Sequence, residues 1–373
     1  MVPLGIISFI FLTIIQAVLN LQNKFLSLLK SNKDAVIITS PENRRYFTGF
    51  NSSDGFLVIT NNEAVFFTDS RYIEAAQNQI TACKSVLLKR VSETISPYLK
   101  EKGVENIILE TERLTVAELN NLKKVFGFCK VEANEELDSL INSLRAVKTD
   151  EEIDYIKKAQ SIAEDAFKHI LKFIKVGVTE KEIALELDFY MLSHGAEAVS
   201  FETIAVSGKN SSMPHGVPTD KKIENGDFIT MDFGAVYNGY HSDMTRTVIV
   251  GEPTKKQKEV YETVLKAQKE ALAVLKAGIS GVDADKTARD IIDAKGYKEN
   301  FGHGLGHGVG VEIHESPNLS PYSKAILETG NVVTVEPGIY IPDEFGVRIE
   351  DMALITDDGY INLTSCEKEL IIL

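Results

Sequence analysis

Residues 227–250, DFITMDFGAVYNGYHSDMTRTVIV, constrain the fold most strongly because they read as a β-hairpin. Asn-Gly at 238–239 is the dipeptide that two-residue hairpin turns favour. Counting back from this turn pairs Gly234 with Asp243 and leaves Asp232 one diagonal away on the same face, about 7–8 Å between backbones. Two half-buried carboxylates at that distance require a cation or a shift in pKa. The alternative is a hairpin whose acids face solvent.

A second hairpin is predicted at residues 332–355, VVTVEPGIYIPDEFGVRIEDMALI. The turn-like PDEFG at 342–346 folds the segment back on itself, and its odd length puts Glu336 and Glu350 on one face. Apolar neighbours favour burial of Glu350. The alternative is that Arg348 simply neutralises a neighbouring acid.

Residues 301–315, FGHGLGHGVGVEIHE, hold three of the seven histidines, His303, His307 and His314. Glycine makes this stretch a poor helix but allows backbone and imidazoles to approach a ligand closely. The alternative is a glycine-rich surface loop whose histidines have no functional role. Four hairpin carboxylates with one imidazole, that of His307, suit a pair of Mn²⁺, Co²⁺, Fe²⁺ or Zn²⁺ ions, about 3.5–4 Å apart.

Composition limits the classes of protein that need to be considered. A length of 373 residues suggests two domains, and 44% hydrophobic with 25% charged residues is typical of a globular protein. A net charge of −14 argues against a nucleic-acid partner. Cys83, Cys129 and Cys366 are odd in number and lack CxxC spacing, which favours reduced thiols and a cytoplasmic location.

Residues 1–19 form an uncharged apolar extension whose status the sequence leaves open. It could be a membrane anchor, an uncleaved signal, or an upstream addition from a misassigned start codon. We favour the last interpretation, because no Lys or Arg precedes the stretch and its length is at the lower limit for a membrane span. VLNLQNKFLSLLK, from Val18, is predicted to begin an amphipathic helix.

Strands alternating with helices predict an α/β N-terminal domain over residues 20–146. Within it, residues 40–50 are predicted to form a polar link containing a turn, and Ser92 is a candidate helix cap. Residues 147–373 are predicted to form an α+β domain with antiparallel hairpins. Its first two helices begin after Thr149 and at 179–194, where Thr179 and Glu182 have capping-box spacing. One of its strands is predicted at 200–206.

Five residues in these segments resemble, in order and approximate spacing, the metal ligands of the pita-bread metallopeptidases. They are Asp232, Asp243, His307, Glu336 and Glu350. The motifs around them are similar to those of the proline-directed branch, prolidase and aminopeptidase P. These motifs are GHGLGHGVGVEIHE (302–315), VEPGIY (335–340) and VRIEDMALI (347–355). Non-catalytic homologues on this fold lack the ligands, so the resemblance implies an enzyme.

The resemblance extends over nearly the whole chain. SPENRRYFTGF (40–50) and TDSRY (68–72) are similar to the N-terminal domain of that branch, and LRAVKTDEEI (144–153) is similar to its inter-domain junction. It therefore implies a creatinase-like α/β N-terminal domain followed by an α+β pita-bread catalytic domain.

The resemblance also implies roles for residues outside the ligand set. His215, in MPHGVP, and His314 resemble the two histidines that contact substrate and stabilise the transition state. His303 and Arg348 resemble the pair that shapes the proline pocket, and Glu336 resembles the acid/base that relays a proton. An exposed loop position for His215, and a structural role for Arg348 beside another acid, are the alternatives.

The predicted function is that of a metal-dependent exopeptidase of the Xaa-Pro aminopeptidase type, acting through a hydroxide that bridges two metal ions. Xaa-Pro dipeptidase activity is the first alternative, and a non-catalytic peptide-binding module or another C–N hydrolase on this fold is weaker. By resemblance, we expect two divalent ions per subunit, Mn²⁺ first and Co²⁺, Zn²⁺ or Fe²⁺ next. We also expect a homodimer that binds peptides with proline at the second position, without nucleic-acid or membrane partners.

Overall fold

A computed structural model of the protein describes residues 21–373. The apolar extension at 1–19 therefore lies outside the described residues. Of the amphipathic helix predicted from Val18, residues 21–23 are helical and residues 24–28 form turns. Over the described part of the chain, no helix is both long enough and apolar enough to cross a bilayer.

The chain divides into two compact units, with the boundary between Asn142 and Ser143. The domain boundary predicted after residue 146 falls four residues later. The first unit contains a six-stranded sheet of order β4-β3-β2-β1-β5-β6. Its strands are β1 (Asp34–Ile38), β2 (Phe56–Thr60), β3 (Ala64–Thr68), β4 (Lys84–Leu87), β5 (Asn106–Leu109) and β6 (Lys130–Ala133). β1, β2 and β3 pair antiparallel, whereas the outer pairs are parallel.

The helices of the first unit alternate with these strands, as predicted. They are α1 (Pro41–Thr48), α2 (Ile73–Gln79), α3 (Val91–Glu101), α4 (Val116–Val125) and α5 (Glu135–Ala146), the last of which continues past the boundary. An apolar cluster packs strands β1, β2, β3 and β5 against α3 and α4.

Two predictions for the first unit are wrong. Residues 40–50 were expected to be a polar link, but most of them form α1, in which proline occupies the first turn, where its missing N–H costs nothing. The buried carboxylate of Glu110 fixes the start of this helix by accepting hydrogen bonds from Ser40 and Asn43. Ser92 is not a cap, because α3 already begins at Val91, and the side chain of its N-cap residue makes no capping hydrogen bond.

The second unit contains four further helices, and their starts follow the predicted capping signals. They are α6 (Asp150–Phe173), α7 (Glu180–Ser193), α8 (Lys255–Val274) and α9 (Gly281–Ala294). Thr149 and Thr179 each close a capping box with the glutamate three residues on, which satisfies two backbone N–H groups at each helix start.

The strands of the second unit pair antiparallel, as predicted for residues 147–373. They are β7 (Ala198–Val199), β8 (Ile204–Ser207), β9 (Phe228–Phe233), β10 (Ala235–Tyr237), β11 (Tyr240–His241), β12 (Met244–Ile249), β13 (Gly306–Gly308), β14 (Glu315–Leu319), β15 (Val332–Val335), β16 (Gly338–Ile341), β17 (Phe345–Arg348), β18 (Asp351–Ile355) and β19 (Tyr360–Asn362). The single strand predicted at 200–206 is wrong, because residues 200–203 separate β7 from β8 in two different sheets.

Strand β9 shows how this unit separates apolar core from polar site. Ile229, Met231 and Phe233 join the apolar cluster formed with α6 and α7. Since side chains alternate along a strand, Thr230 and Asp232 point to the opposite face. A second apolar cluster packs α8 and α9 against the strands of the second hairpin.

Candidate metal centre and substrate cavity

The first hairpin has the predicted register from its turn to its two acids. Both residues of the turn at 238–239 have positive φ, 48° and 81°, as a type I′ turn requires. Asp232 pairs with Thr245, and the same register sets Gly234 opposite Asp243. The two carboxylates therefore lie one diagonal apart on one face, as predicted.

Gly234 is required by the close approach of the two strands. A Cβ atom at this position would lie 1.9 Å from the carbonyl oxygen of Ser242, which no side chain could accommodate. The absence of a side chain therefore keeps the two acid-bearing strands together.

The second hairpin puts its two acids on one face, as predicted, but its turn spans 342–344 and not the whole of 342–346. Val335 pairs with Asp351, and Gly338 pairs with Arg348, so Glu336 and Glu350 face each other between these pairs. Their amides bond outside the hairpin: Glu336 N–H donates to Leu305 O at 2.8 Å, and Glu350 N–H donates to Thr245 O at 3.1 Å. These bonds tie the second hairpin to the glycine-rich stretch and to the first hairpin.

All nine residues that the sequence singled out line one cavity of about 440 Å³. The five candidate metal ligands are Asp232, Asp243, His307, Glu336 and Glu350, and the four candidate substrate residues are His215, His303, His314 and Arg348. Ligand atoms of Asp243, His307 and Glu350 lie within 4.8 Å of one another. These three residues come from segments far apart in sequence, and the fold brings them together at one side of the cavity.

His307 is oriented as a metal ligand would be. Its Nδ1–H donates to the carbonyl of Gly308 at 3.1 Å, which leaves Nε2 as the ring nitrogen that faces the carboxylates. That Nε2 lies 3.3 Å from Glu336 Oε1 and 3.6 Å from Asp243 Oδ2. The ring therefore faces the carboxylates with the atom that binds a cation.

The carboxylates have unused oxygens that fit a cation. Asp232 Oδ1, Asp243 Oδ1 and Glu350 Oε1 are buried without a hydrogen-bond partner among the described residues. Burial and the charges of neighbouring carboxylates raise the pKa of both Asp243 and Glu350 well above the usual range. Buried unpaired carboxylates are costly, and a bound dication would remove that cost. The residues present therefore fit a metal centre.

Glu336 differs from Asp243 and Glu350 in the direction of its pKa shift. Burial alone would raise its pKa, but the hydrogen bond from His307 and the positive charges of His307, His303 and Arg348 outweigh it and hold the pKa at about 2. The same interaction raises the pKa of His307 despite its burial. Glu336 is thus ionised across the physiological range.

Arg348 is held on every side at the cavity wall. Its NH2 donates to Asp232 Oδ2 at 2.6 Å, and its NH1 donates to the hydroxyl of Tyr340 at 2.9 Å and to Pro214 O at 3.2 Å. Its Nε donates to the hydroxyl of Thr245 at 3.1 Å. The carboxylate that neutralises it is therefore the candidate metal ligand Asp232.

Tyr340 and Thr245 were not singled out from the sequence. Burial raises the pKa of Tyr340 to about 12, and its hydroxyl lies 2.9 Å from Nε2 of His303. Since Nδ1 of His303 donates to a carbonyl and burial lowers the pKa of this ring, Nε2 accepts the proton of the tyrosine. Thr245 donates to Glu350 Oε2 at 2.7 Å. Thr245 could have been identified from the sequence, because the predicted register of the first hairpin pairs it with Asp232.

His314 and His215 lie on the more exposed side of the cavity. The His314 ring is 4.3 Å from that of His307 between centroids, in an edge-to-face arrangement. Partial burial and then the charge of His307 lower the pKa of His314, so at neutral pH it is an uncharged hydrogen-bonding group.

A buried cluster of charges supports the segment that carries His314. Arg145 donates to Glu312 and Glu315 at 2.6 and 2.7 Å, and Lys148 donates to Glu315 at 2.7 Å. Burial would raise the pKa of Glu315, but the charges of Lys148 and Arg145 lower it overall. The residue next to His314 is thus an ionised, doubly paired carboxylate.

Comparison with known proteins identifies the family. The profile of metallopeptidase family M24 matches residues 154–357, and that of the creatinase/prolidase N-terminal domain matches residues 23–147. The chain belongs to metallopeptidase family M24. This M24 chain is therefore a hydrolase, and the family and fold class predicted from the motifs are confirmed.

Relatives of this M24 chain match it over nearly its whole length. The Xaa-Pro dipeptidase of Pyrococcus furiosus is 41% identical over 91% of the chain and 95% of the relative. A solved Xaa-Pro dipeptidase from Bacillus anthracis superposes with a TM-score of 0.91 at 42% identity, covering 95% of this chain and 99% of that one. A solved X-Pro aminopeptidase from Thermotoga maritima has a TM-score of 0.86 at 37% identity, covering 91% and 97%.

Proposed function

We propose that this M24 chain hydrolyses the bond between an N-terminal residue and a following proline, in peptides longer than two residues. The observation that carries the proposal is the common cavity, lined by five candidate metal ligands and four candidate substrate residues. The names of the relatives, dipeptidases and an aminopeptidase that act on Xaa-Pro bonds, support proline at the second position.

The proline ring binds against the part of the cavity that is formed by Arg348 and His303. Donors of Arg348 are engaged by Asp232, Thr245 and Tyr340, and Nε2 of His303 is engaged by Tyr340. A wall with its polar groups already satisfied favours a residue that brings no N–H group of its own. Proline is the residue that meets this condition.

The charge of the cavity supports action on longer peptides. Among the described residues that line it, Arg348 is the one lysine or arginine. Because its donors are already engaged, the free carboxylate of an Xaa-Pro dipeptide would lack a cationic partner there. The second candidate function is Xaa-Pro dipeptidase, which the names of the Pyrococcus furiosus and Bacillus anthracis relatives favour.

Two divalent cations would be held by Asp232, Asp243, His307, Glu336 and Glu350. Four carboxylates against two dications sum to zero charge, which supports this number. When bound, such cations polarise a carbonyl group and lower the pKa of a bound water. Mn²⁺ is the first candidate, because oxygen-rich sites with a single imidazole suit it, and Co²⁺, Zn²⁺ and Fe²⁺ are the others.

Three residues handle charge and protons during the reaction. Glu336, ionised and hydrogen-bonded to His307, takes a proton from the attacking water and delivers it to the nitrogen of the leaving proline. His314 and His215 donate hydrogen bonds to the oxygen that becomes negative in the transition state. Both line the same cavity as Glu336, which supports their contact with one substrate.

The assembly that we propose is a cytoplasmic homodimer. Unpaired cysteines at 83, 129 and 366 support a reducing compartment. Helix α7 exposes Leu185, Phe189 and Leu192, spaced at helical intervals and 66%, 70% and 49% accessible. An apolar stripe of this kind supports an interface with a second copy. Light scattering of the purified protein measures the mass, and a monomeric mass at micromolar concentration would contradict the dimer.

The test of the proposed function is turnover by the metal-stripped protein after Mn²⁺, Co²⁺ or Zn²⁺ is restored. The substrates are an Xaa-Pro dipeptide, an Xaa-Pro-Yaa tripeptide and the matching Xaa-Ala-Yaa control. We expect metal-dependent cleavage before proline, faster for the tripeptide, and none in Asp243→Ala or Glu336→Ala. Faster cleavage of the dipeptide would instead establish the second candidate. Absence of Xaa-Pro cleavage with every metal would refute both.

A further inference from the structure

Helix α9 carries an ion pair that is hydrogen-bonded to the backbone of the glycine-rich stretch at residues 301–305. Nε and NH2 of Arg289 donate to the two carboxylate oxygens of Asp285, one helical turn earlier, at 2.8 and 2.9 Å. The Asp285 side chain is 2% exposed and that of Arg289 is 22% exposed. Such a bidentate pair is geometrically rigid, because the planar guanidinium matches both carboxylate oxygens at once.

This pair also binds three backbone groups of residues 301–305. Arg289 NH1 donates to Phe301 O at 2.9 Å, and its NH2 donates to His303 O at 2.8 Å. The N–H of Leu305 donates to Asp285 Oδ1 at 3.0 Å. The guanidinium also lies 4.3 Å from the centre of the Phe301 ring. Every second residue of the segment is therefore fixed by one ion pair.

The fixed segment is one that would otherwise be mobile, because glycine at 302 and 304 loses more conformational freedom on folding than any other residue. It reaches the candidate active site at two points. The His303 ring lines the cavity and bonds Tyr340. Leu305 O accepts the N–H of Glu336 at 2.8 Å. Neither Asp285 nor Arg289 is among the described residues that line the cavity.

We propose that Asp285 and Arg289 are positioning residues, which fix the backbone of residues 301–305 so that His303 and Glu336 keep their places in the cavity. The kinetic part of this inference rests on the proposed function. The part that concerns the backbone does not, because it can be measured without substrate.

The variants are Arg289→Gln, Arg289→Lys and Asp285→Asn, with Lys286→Gln as the matched control. Lys286 forms an ion pair with Asp290 on the same helix, with the same four-residue spacing, but both side chains face solvent, 63% and 62% exposed. Arg289→Lys keeps the charge but loses the fork that reaches the carboxylate and two carbonyls together. If Arg289→Gln fails to fold, Arg289→Lys and Asp285→Asn complete the test.

The first measurement is hydrogen exchange of the metal-free protein, followed by mass spectrometry of peptides that cover residues 301–309. We expect faster exchange in these peptides for the Arg289 and Asp285 variants and an unchanged pattern for Lys286→Gln. Unchanged exchange at 301–309 in all variants would overturn the proposal, whatever the substrate of the enzyme. Lack of Xaa-Pro cleavage by the wild type would refute the proposed function and leave this result standing.

The second measurement compares kcat and KM for Xaa-Pro-Yaa in Arg289→Gln, in His303→Ala and in the double variant. We expect Arg289→Gln alone to lose roughly 10- to 100-fold in kcat/KM, as for other residues that orient a site through a neighbour. In the His303→Ala background the same change should cost much less, because the two residues act along one path. Fully additive losses would contradict the part of the proposal that runs through His303.

Discussion

Thr245 joins the two halves of the candidate site through one hydroxyl group. It donates to Glu350 Oε2 and accepts from Arg348 Nε, so the position of a candidate metal ligand and that of the candidate proline wall depend on the same atom. Neither contact could be read from sequence spacing, because the partners lie more than 100 residues away.

Replacing this hydroxyl with a methyl group should weaken metal binding without unfolding the protein. For Thr245→Val we expect Mn²⁺ affinity to fall by roughly 10- to 100-fold, as is typical when a residue that orients a ligand is lost. Titration of the metal-free protein with Mn²⁺ against a chelating indicator measures the affinity. Thr263→Val is the control, because its buried hydroxyl donates to the carbonyl of Glu259 in the same helix. Equal affinity in the two variants would contradict the role of Thr245.

Asp243 and Glu350 make the stability of the metal-free protein depend on pH. The pKa of each carboxyl is raised in the folded protein, first by burial and then by neighbouring carboxylates, Glu350 and Asp232 around Asp243 and Glu336 and Asp232 around Glu350. Folding therefore takes up protons. The resulting stability is complete below the pKa of the unfolded chain, about 4, and is lost as pH rises through the higher folded pKa.

The measurement is the melting temperature of chelator-treated protein between about pH 5 and pH 8. Relative to Asp243→Asn, which carries no charge at this position at any pH, the wild type should melt progressively lower as pH rises. Saturating Mn²⁺ should remove this trend, because the cation replaces the protons. A difference between the two proteins that does not change with pH would show that the Asp243 carboxyl has an ordinary pKa.

At the scale of elements, the two hairpins could be predicted from the sequence and most other site contacts could not. The Asn-Gly turn and the alternation around it fix the register that brings Asp232 and Asp243 to one face, because a slip of one residue would turn every side chain over. A similar local argument put Glu336 and Glu350 on one face. These acids needed only information contained within about 25 residues of chain.

Local patterns could not predict elements whose position depends on residues distant in sequence. Helix α1 was misread as a link because its start depends on the carboxylate of Glu110, 67 to 70 residues further along. The contacts of Arg289 with the glycine-rich stretch were missed because α9 looks like an ordinary amphipathic helix. Periodicity predicts which face of a helix is buried but not which backbone that face will bind.

The segment that carries His314 depends on the buried cluster formed by Arg145, Lys148 and Glu315. In Glu315→Gln the buried Lys148 would lose its carboxylate partner and Arg145 would keep Glu312, so we expect a loss of about 3–5 kcal/mol in the free energy of unfolding. Glu344→Gln is the control, since its pair with Lys256 is about half exposed and should contribute less than about 1 kcal/mol. Urea unfolding compares the two variants, and equal losses would contradict the distinction.

At the scale of the whole molecule, the candidate metal ligands all come from one of the two compact units. Asp232, the first of them in sequence, lies 90 residues beyond the boundary at Asn142. A ligand that binds only the folded state stabilises the structure to which its site belongs. Metal binding should therefore protect the second unit directly.

Hydrogen exchange with and without Mn²⁺ tests this expectation. At a concentration 100 times the dissociation constant the metal should add about 2.7 kcal/mol of stability, seen as slower exchange of peptides from residues 143–373. We expect little change in peptides from residues 21–142. Asp243→Ala with Glu336→Ala should abolish the effect. Equal protection of both units would show that they unfold together.

The glycines at the meeting points of the strands have a consequence for how such a site can change. A Cβ atom at Gly234 would lie 1.9 Å from one carbonyl oxygen, and a Cβ atom at Gly306, next to His307, would lie 2.0 Å from that of Thr334. Even alanine would force the backbones apart and carry Asp243 or His307 away with them. A substitution at a reactive side chain changes the chemistry of one group, whereas a substitution at either glycine moves the backbone on which the reactive groups are mounted.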